Sequence, residues 1–363
     1  MLLGKWRGNK FKIGARVLKT GIAIVLTLYL AELLNLPLVF AAIGASFAIQ
    51  PTVYRSYISL VDQLLANIVG AIVAIVLVLT IGSSPAAVGL GVMITIWVTR
   101  LTKKDNHIGI AVITLLVIME AQGSHFIEFA TQRFIAIILG VLVAFFINIW
   151  LLPPKYEAKL FRKISDFTEL VLIWLNRCID TDKQSVFLRN DQEGILKKQV
   201  AAEKVYLLYK DERKFYKKKR EYTKARKLVV YRQMIATTRQ AFVVLKQFHR
   251  WGHYFDSFPL HFRSKLLAQM TILIQHHQQI HEHFIQDSYD QKVFEATSLG
   301  ELLSLLAELR EMKSHDVMAI LHMTTLTGAL IEYAERIQHL QGLLHSFQSY
   351  HEMEKVIDET IET

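Results

Sequence analysis

Acidic side chains are scarce in the first part of this 363-residue sequence. Before residue 155 the acidic residues are Glu32, Asp62, Asp105, Glu120 and Glu128, whereas the remaining residues hold the other 27. Five of the six prolines and twelve of the seventeen glycines also lie before residue 155. Two chemically different halves therefore meet at Leu152-Pro153-Pro154, and we predict domains of residues 1–154 and 155–363.

The chain has one cysteine, Cys178, so no disulfide can form within one molecule. It has no strand-like alternation and no glycine-rich phosphate loop, which argues against nucleotide binding and ATP-driven transport. No Ser/His/Asp, Cys/His or paired-carboxylate set stands out at a plausible site. The sequence therefore predicts a protein that is not an enzyme and needs no cofactor.

Long uncharged runs dominate the first half. Residues 63–99 carry no formal charge, and a helix of that length would be about 55 Å long, too long for one crossing of a hydrocarbon core of ~30 Å. Gly82-Ser83-Ser84-Pro85 is a turn signal that divides this run. We predict an all-α membrane bundle with spans near 18–35, 37–51, 61–81, 86–101, 107–122 and 133–152, followed by a helical domain.

Lysine and arginine in the short loops predict the orientation. With six spans, fourteen basic residues around the ends of the first domain and its 51–60 and 101–106 loops lie on one side. The opposite side has only Arg133. Because such asymmetry marks the cytosolic side, we expect a multi-pass plasma-membrane protein with both termini in the cytosol.

Polar side chains at membrane depth are costly and indicate function more often than polar residues elsewhere. Acids at depth are candidates for carrying a proton, and arginines near the cytosolic mouth are candidates for meeting a substrate carboxylate. The second and fifth spans are also short, at matching positions of two sets of three, as in many transporters. The transport-path candidates are Glu32, Ser46, Gln50, Arg55, Asp62, Arg100, His107 and Glu120.

A family resemblance lies in GASFAIQPTVYRSY (44–57) followed by QLLANIVGAIVAIVLVL (63–79). These segments resemble the aromatic acid exporter and fusaric-acid-resistance superfamily, in which a small-residue span runs into a Q-P-T-like turn. The sequence departs from the family's R-x-x-G-T-x-x-G helix, having Asn67-Ile68-Val69-Gly70 instead. The second half is similar to the C-terminal domain of single-unit members from Gram-positive bacteria.

This resemblance implies six spans per unit, a cytosolic helical domain and efflux of aromatic or other organic acids. Larger family members contain two such units in one chain, whereas this chain contains one. Six short spans make a thin wall around a path, so we expect a homodimer or higher homo-oligomer.

The second half has helical patterns over 155–180, 191–251, 260–286, 291–313 and 315–348, the second long enough for a helical arm. Eleven basic residues lie between Lys210 and Arg232. Lys217, Lys218, Lys219 and Arg220 are candidates for attracting anionic lipid or substrate, although a solvated helix face is an equal alternative. Nucleic acid is not an expected partner, because no recognition motif accompanies the charge.

Twelve of the fourteen histidines lie after residue 248. His277 and His281 are four residues apart and would share a helix face, so they are weak candidates for a metal site. Ordinary bundle histidines are the favoured interpretation, and no metal is expected.

Two functions remain open at this point. One is a secondary exporter of small organic anions coupled to the proton gradient. The other is a membrane-anchored interaction or regulatory protein whose helical domain is the working part. Six spans exceed what an anchor needs, so the sequence favours the exporter.

Overall fold

The computed structural model divides into two compact units, Met1–Pro154 and Lys155–Thr363, which are described separately. It describes residues 15–101, 107–120, 126–151, 156–179, 189–213, 221–286, 297–311 and 317–361. These residues form helices, turns and short connections without a strand. The predicted all-α class is therefore confirmed over this part of the chain.

The helices of the first unit follow the uncharged runs. They are α1 (Ala15–Leu33), α2 (Leu38–Ala48), α3 (Val53–Thr80), α4 (Pro85–Leu101), α5 (Ile108–Glu120) and α6 (Phe126–Trp150). Two helices begin before the spans predicted within them, since α3 starts eight residues before position 61 and α6 seven before position 133. Near the starts of these helices, Ser56 of α3 and Arg133 of α6 are buried in the bundle.

Local sequence explains the breaks between these helices. Asn35 adopts a left-handed conformation with φ of 52° two residues before Pro37, the residue that directly precedes α2. The Thr52 hydroxyl accepts the backbone N–H of Arg55 at 3.1 Å and caps α3. Gly82, with φ of 83°, ends α3 ahead of Pro85.

Glycines allow two pairs of helices in this unit to approach closely. A methyl group on Gly140 of α6 would overlap the carbonyl oxygen of Ala41 in α2. A methyl group on Gly70 of α3 would overlap the carbonyl oxygen of Ala111 in α5. Small residues at helix crossings are typical of membrane bundles, where packing supplies much of the association energy.

The outer surface of the first unit is apolar. Its most exposed large side chains include Leu79, Met93, Trp97, Phe146 and Trp150, the last with 92% of its surface exposed. In lipid this surface needs no hydration, and the unit therefore contacts membrane lipid. By length and composition, α3 and residues Glu128–Trp150 of α6 are long and apolar enough to cross a membrane, whereas α2, α4 and α5 are shorter apolar helices.

The second unit is a bundle around one core. Its α-helices are α7 (Tyr156–Ile179), α8 (Arg189–Arg213), α9 (Glu221–Trp251), α10 (Leu260–Gln286), α11 (Thr297–Glu311) and α12 (Val317–Ile361). Residues Val317–Ser349 of α12 also have the length and apolarity of a membrane span. However, Leu326, Leu330 and Tyr333 are fully buried in the core of this unit. The apolar character of α12 therefore reflects its central place in the bundle.

Candidate functional site

A cavity of about 550 Å³ opens in the first unit beside the start of α3. It lies within the size range of small-molecule sites. Polar and apolar side chains share its wall. The lining residues are Phe47, Gln50, Arg55, Ile58, Ser59, Asp62, His107, Gly109, Ile110 and Ile113.

The break between α2 and α3 positions the first polar residues of the cavity. The chain leaves α2 at Ile49 in an extended conformation, so residues 49–52 turn across the bundle instead of continuing the helix. The backbone N–H of Gln50 donates to the Ser56 hydroxyl at 3.0 Å, which ties this turn to the first turn of α3. Arg55 lies just past the Thr52 cap with its side chain exposed.

Two titratable groups face each other in the cavity wall. Asp62 lies on α3, and His107 lies directly before α5. Their closest atoms, the His107 Nε2 and an Asp62 carboxylate oxygen, are 3.8 Å apart. Both side chains are about 15% exposed, at 14% and 15%. A protonated imidazole therefore forms an ion pair with the carboxylate, whereas a neutral imidazole does not.

A buried chain of hydrogen bonds begins at the cavity wall. Gln63 donates to the Ser59 hydroxyl at 3.1 Å, and Asn67 donates to the backbone carbonyl of Gln63 at 2.8 Å. Thr114 of α5 donates to the Asn67 side-chain oxygen at 2.6 Å. These bonds satisfy polar groups that would otherwise be costly inside a membrane bundle, and they connect α3 to α5.

A second polar cluster joins α1, α3 and α6. The Lys19 ammonium, 5% exposed, donates to the side-chain oxygen of Asn148 at 3.0 Å. The Asn148 amide in turn donates to the Ser56 hydroxyl at 2.7 Å. In the sequence Lys19 counts as one of the basic residues around the first predicted span, but the tertiary structure buries its side chain inside the bundle.

Arg133 is the most unexpected residue of the first unit. The sequence places it at the outer end of the predicted span 133–152, but α6 already begins at Phe126, so Arg133 lies within this helix and is 2% exposed. Its guanidinium donates to the backbone carbonyls of Thr114 at 3.1 Å and Ile113 at 3.3 Å. Its central carbon also lies 4.4 Å from the centre of the Phe40 ring.

The structure brings together half of the predicted transport-path residues. Gln50, Arg55, Asp62 and His107 line the cavity. Glu32, Ser46, Arg100 and Glu120 lie outside its lining, with exposed side chains. Three of these four, Glu32, Arg100 and Glu120, lie in the last turn of a helix, where polarity marks the edge of an apolar segment. Ser59 was not among the predicted site residues, although its three-residue spacing from Ser56 and Asp62 on one helix face was an available signal.

The two histidines predicted as weak metal candidates, His277 and His281, bind different partners. The His277 Nδ1 is 2.8 Å from the Tyr333 hydroxyl, and the His281 Nε2 is 2.9 Å from the Ser165 hydroxyl. Burial lowers the pKa of His277 to about 3 and that of His276 to about 4, and burial also lowers the pKa of His281. Over the residues that the structure describes, no three His, Cys, Asp or Glu side chains are grouped to hold a metal ion.

The predicted basic cluster Lys217, Lys218, Lys219 and Arg220 lies outside the described residues. The preceding α8 ends at Arg213, and the following α9 begins at Glu221. Within the 191–251 pattern the described residues form α8 and α9, both of which contribute to the core of the second unit through residues such as Ile195 and Met234.

Comparison with known proteins identifies the family. The model of the aromatic acid exporter family, member 1, matches residues 11–151. The UPF0421 protein YgaE of Bacillus subtilis is 37% identical over 94% of this chain and 97% of its own length. A UPF0421 protein of Staphylococcus saprophyticus is 36% identical over 40% of this chain and 44% of its own, and one of Oceanobacillus iheyensis is 31% identical over 43% and 45%. The chain is thus a membrane protein that belongs to the UPF0421 family, and its first unit matches the aromatic acid exporter family.

Proposed function

We propose that this protein is a secondary exporter of small aromatic or other organic acids, driven by the proton gradient across the plasma membrane. The observation that carries the proposal is the composition of the cavity. A cation, Arg55, shares the wall with the Asp62–His107 pair and with the apolar side chains of Ile58 and Ile110. The family description supports the same class of substrate.

An aryl carboxylate matches both kinds of wall. Its carboxylate pairs with the Arg55 guanidinium, which offers a planar fork of donors suited to that group. Its ring packs against Ile58, Ile110 and Ile113, and this contact removes apolar surface from water. Simple inorganic anions lack the apolar part, so the cavity favours organic acids over them.

Proton coupling in this proposal rests on Asp62 and His107. A proton that arrives at His107 creates an ion pair with Asp62 across the 3.8 Å gap, and its departure removes that pair. The wall of the cavity therefore has two charge arrangements that differ in their affinity for an anion. Inward flow of a proton then exchanges with outward flow of the acid through the same unit.

The orientation completes the proposal. The cavity lies at the α2–α3 junction and at the start of α5, the side on which Arg55, Arg100 and the 101–106 loop concentrate positive charge. The excess of lysine and arginine on this side assigns it to the cytosol. The chain thus crosses the membrane six times, keeps both termini in the cytosol and takes up its substrate there.

Assembly into a homodimer is part of the same proposal. Large apolar side chains such as Ile72, Val76 and Leu79 lie exposed along one face of α3, which suits either lipid or a second copy of the chain. Light scattering of the purified protein in detergent, corrected for bound detergent, measures the number of copies. A monomeric mass at every protein concentration would remove this part of the proposal.

Inside-out vesicles test the transport proposal. Radiolabelled benzoate should accumulate in vesicles that contain the wild-type chain when a proton gradient is imposed, and a protonophore should abolish accumulation. Asp62→Asn and His107→Gln should each slow gradient-driven accumulation by at least about tenfold, since proton transfer steps contribute roughly 10²- to 10⁴-fold where they limit a rate. Glu32→Gln is the matched control, because Glu32 is exposed and lies outside the cavity.

The results separate the two functions. Wild-type accumulation in both cavity variants would remove the proton-coupling proposal. Absence of accumulation for benzoate and other aryl acids would favour the alternative, a membrane-anchored interaction or regulatory protein. One observation favours that alternative, a stripe on α8 in which Leu196, Val200 and Leu207 are each at least 50% exposed.

A further inference from the structure

The first unit contains an internal repeat with an offset of 70 residues. Ala41 and Ala111 are related by this offset, as are Gly70 and Gly140. Further identical pairs are Gly21 and Gly91, Ala66 and Ala136, and Ala74 and Ala144. The offset pairs α1 with α4, α2 with α5 and α3 with α6. The members of each pair are three positions apart in helix order, with two helices between them, so successive membrane crossings give the two halves opposite directions.

The packing of the helices follows the same offset. The close approach of Gly140 to the Ala41 carbonyl corresponds to that of Gly70 to the Ala111 carbonyl. A second pair of corresponding contacts differs in chemistry. In one contact, a methyl group on Gly44 would lie 2.6 Å from the Ile137 carbonyl oxygen. In the other, the Thr114 hydroxyl donates to the Asn67 side-chain oxygen at 2.6 Å. Residues 44 and 114 correspond, as do 67 and 137, so the two halves share one architecture.

The repeat therefore defines a counterpart of the cavity on the other side of the bundle. In this counterpart Ile110 is replaced by Phe40, and Ser59 is replaced by Phe129. The two phenylalanine rings pack edge to face with centroids 6.1 Å apart. Two small or aliphatic cavity residues are thus replaced by a pair of rings in mutual contact, and this aromatic pair occupies the counterpart position.

Arg133 lies against the Phe40 ring of this aromatic pair. Its counterpart in the first half is Gln63, which bonds to the cavity residue Ser59. Arg133 is 98% buried, it lies against the Phe40 ring, and its Nε has no hydrogen-bond partner among the described residues. Among these residues it also forms no ion pair with a carboxylate, and its hydrogen-bond partners are backbone carbonyls.

We infer that Arg133 is a second anion-binding site, selective for an aryl carboxylate, which the Phe40–Phe129 pair closes while the α3–α5 cavity is open. The inference rests on the proposed export function and assigns the site that the substrate occupies when the exporter faces outward. When the two halves exchange conformations, the rings separate and the counterpart cavity opens. The substrate carboxylate then accepts a hydrogen bond from the unused Nε donor of Arg133. The aromatic ring of the substrate packs against one of the two phenylalanines, in the position that the other phenylalanine has left.

The repeat itself supplies variants for a test. Phe40→Ile and Phe129→Ser give the second half the residues of the first half, so they should open the counterpart cavity without overpacking it. Arg133→Gln introduces the residue that the first half carries at the same position. Arg55→Gln removes the cation of the open cavity, so that binding which remains in a Phe40→Ile/Phe129→Ser/Arg55→Gln background reports the second site.

Opening is measured first, with a thiol reporter. Ile43 corresponds to the cavity residue Ile113, so Ile43→Cys in a Cys178→Ala chain should react slowly with a charged methanethiosulfonate. With Phe40→Ile and Phe129→Ser added, the rate should rise at least about tenfold. An unchanged rate would overturn the inference, because the aromatic pair would then not be the closing element.

Binding of radiolabelled benzoate to the purified full chain in lipid nanodiscs is measured next. In the Phe40→Ile/Phe129→Ser/Arg55→Gln background, Arg133→Gln should weaken binding by about tenfold to a hundredfold, as expected for charge-assisted hydrogen bonds. Arg16→Gln is the matched control for loss of one positive charge, because Arg16 is exposed on α1 and should change affinity less than about threefold.

The outcomes are distinct. Binding that survives Arg133→Gln in this background, or no binding in this background before Arg133 is changed, overturns the second site. If the wild-type chain binds benzoate and Arg55→Gln abolishes this binding, the export proposal stands even when the second site is overturned. No benzoate binding to the wild-type chain would overturn the export proposal and, with it, this inference.

Discussion

Acid should destabilise the second unit because its buried histidines are held neutral. His277 is fully enclosed beside Tyr333, and His276 is 5% exposed. Burial lowers the pKa of His277 to about 3 and that of His276 to about 4, whereas an unfolded histidine has a pKa of about 6.5. Below pH 6.5 the unfolded chain therefore binds protons that the folded chain does not bind, and the free energy of unfolding falls as pH falls.

The size of the effect follows from these values. At pH 7.5 the two histidines are neutral in both states and cost almost nothing. At pH 5.0 each unfolded imidazole gains about 2 kcal/mol from protonation, while the folded one stays mostly neutral. Lowering the pH from 7.5 to 5.0 should therefore remove about 4 kcal/mol from the free energy of unfolding, and His277→Gln should halve the loss to about 2 kcal/mol.

Fluorescence of the full chain in detergent measures this loss. Replacement of Trp6, Trp97 and Trp150 by Phe leaves Trp174 and Trp251, both in the second unit, as reporters of urea unfolding. His345→Gln is the control, since His345 is exposed and its ring is hydrated in both states. Equal stability at the two pH values, or a His277→Gln chain that loses as much as the parent, would refute the burial argument.

Two further predictions concern packing and reactivity. Gly140→Ala should lower the free energy of unfolding of the full chain by about 1–3 kcal/mol, because its methyl group overlaps the backbone of α2, whereas Gly21→Ala, with open space around it, should not destabilise. Thermal unfolding in detergent checks both, and a Gly140→Ala chain as stable as Gly21→Ala would contradict the close approach. Burial raises the pKa of Cys178 to about 11, so maleimide at pH 7.5 should label it about a hundredfold more slowly than in urea, and equal rates would count against this burial.

The helices of both units were predictable because their signals are local. The break at Gly82–Pro85 and the helix from Leu260 depend on residues within a few positions of each other. The spans predicted within α3 and α6 start later than the helices because the exposed Arg55 and the buried Arg133 were both counted as charges that flank a span. A sequence pattern does not distinguish a charge in water from a charge that a neighbouring helix surrounds.

The candidate site was predictable only in part. Asp62 and His107 were both singled out for their polarity within apolar sequence, yet no spacing rule joins residues 45 positions apart. The repeat was also missed, because its identities are alanines and glycines that occur throughout such segments. Its diagnostic signal is the constant offset between contacts, such as Gly70 with Ala111 and Gly140 with Ala41, and this is visible only once contacts are known.

The amino-acid sequence by itself determined that this protein is helical, that its first half suits a membrane and that it resembles aromatic acid exporters. These properties depend on composition, on uncharged length and on short motifs, which a chain carries before it folds. The tertiary structure alone decided that Asp62 meets His107, that Lys19 is buried beside Asn148 and that Arg133 lies against Phe40. Those contacts depend on which helix faces pack against one another. Small residues such as Gly140 determine this packing because they let two backbones approach closely, and the residue type itself does not indicate which helix will be the neighbour.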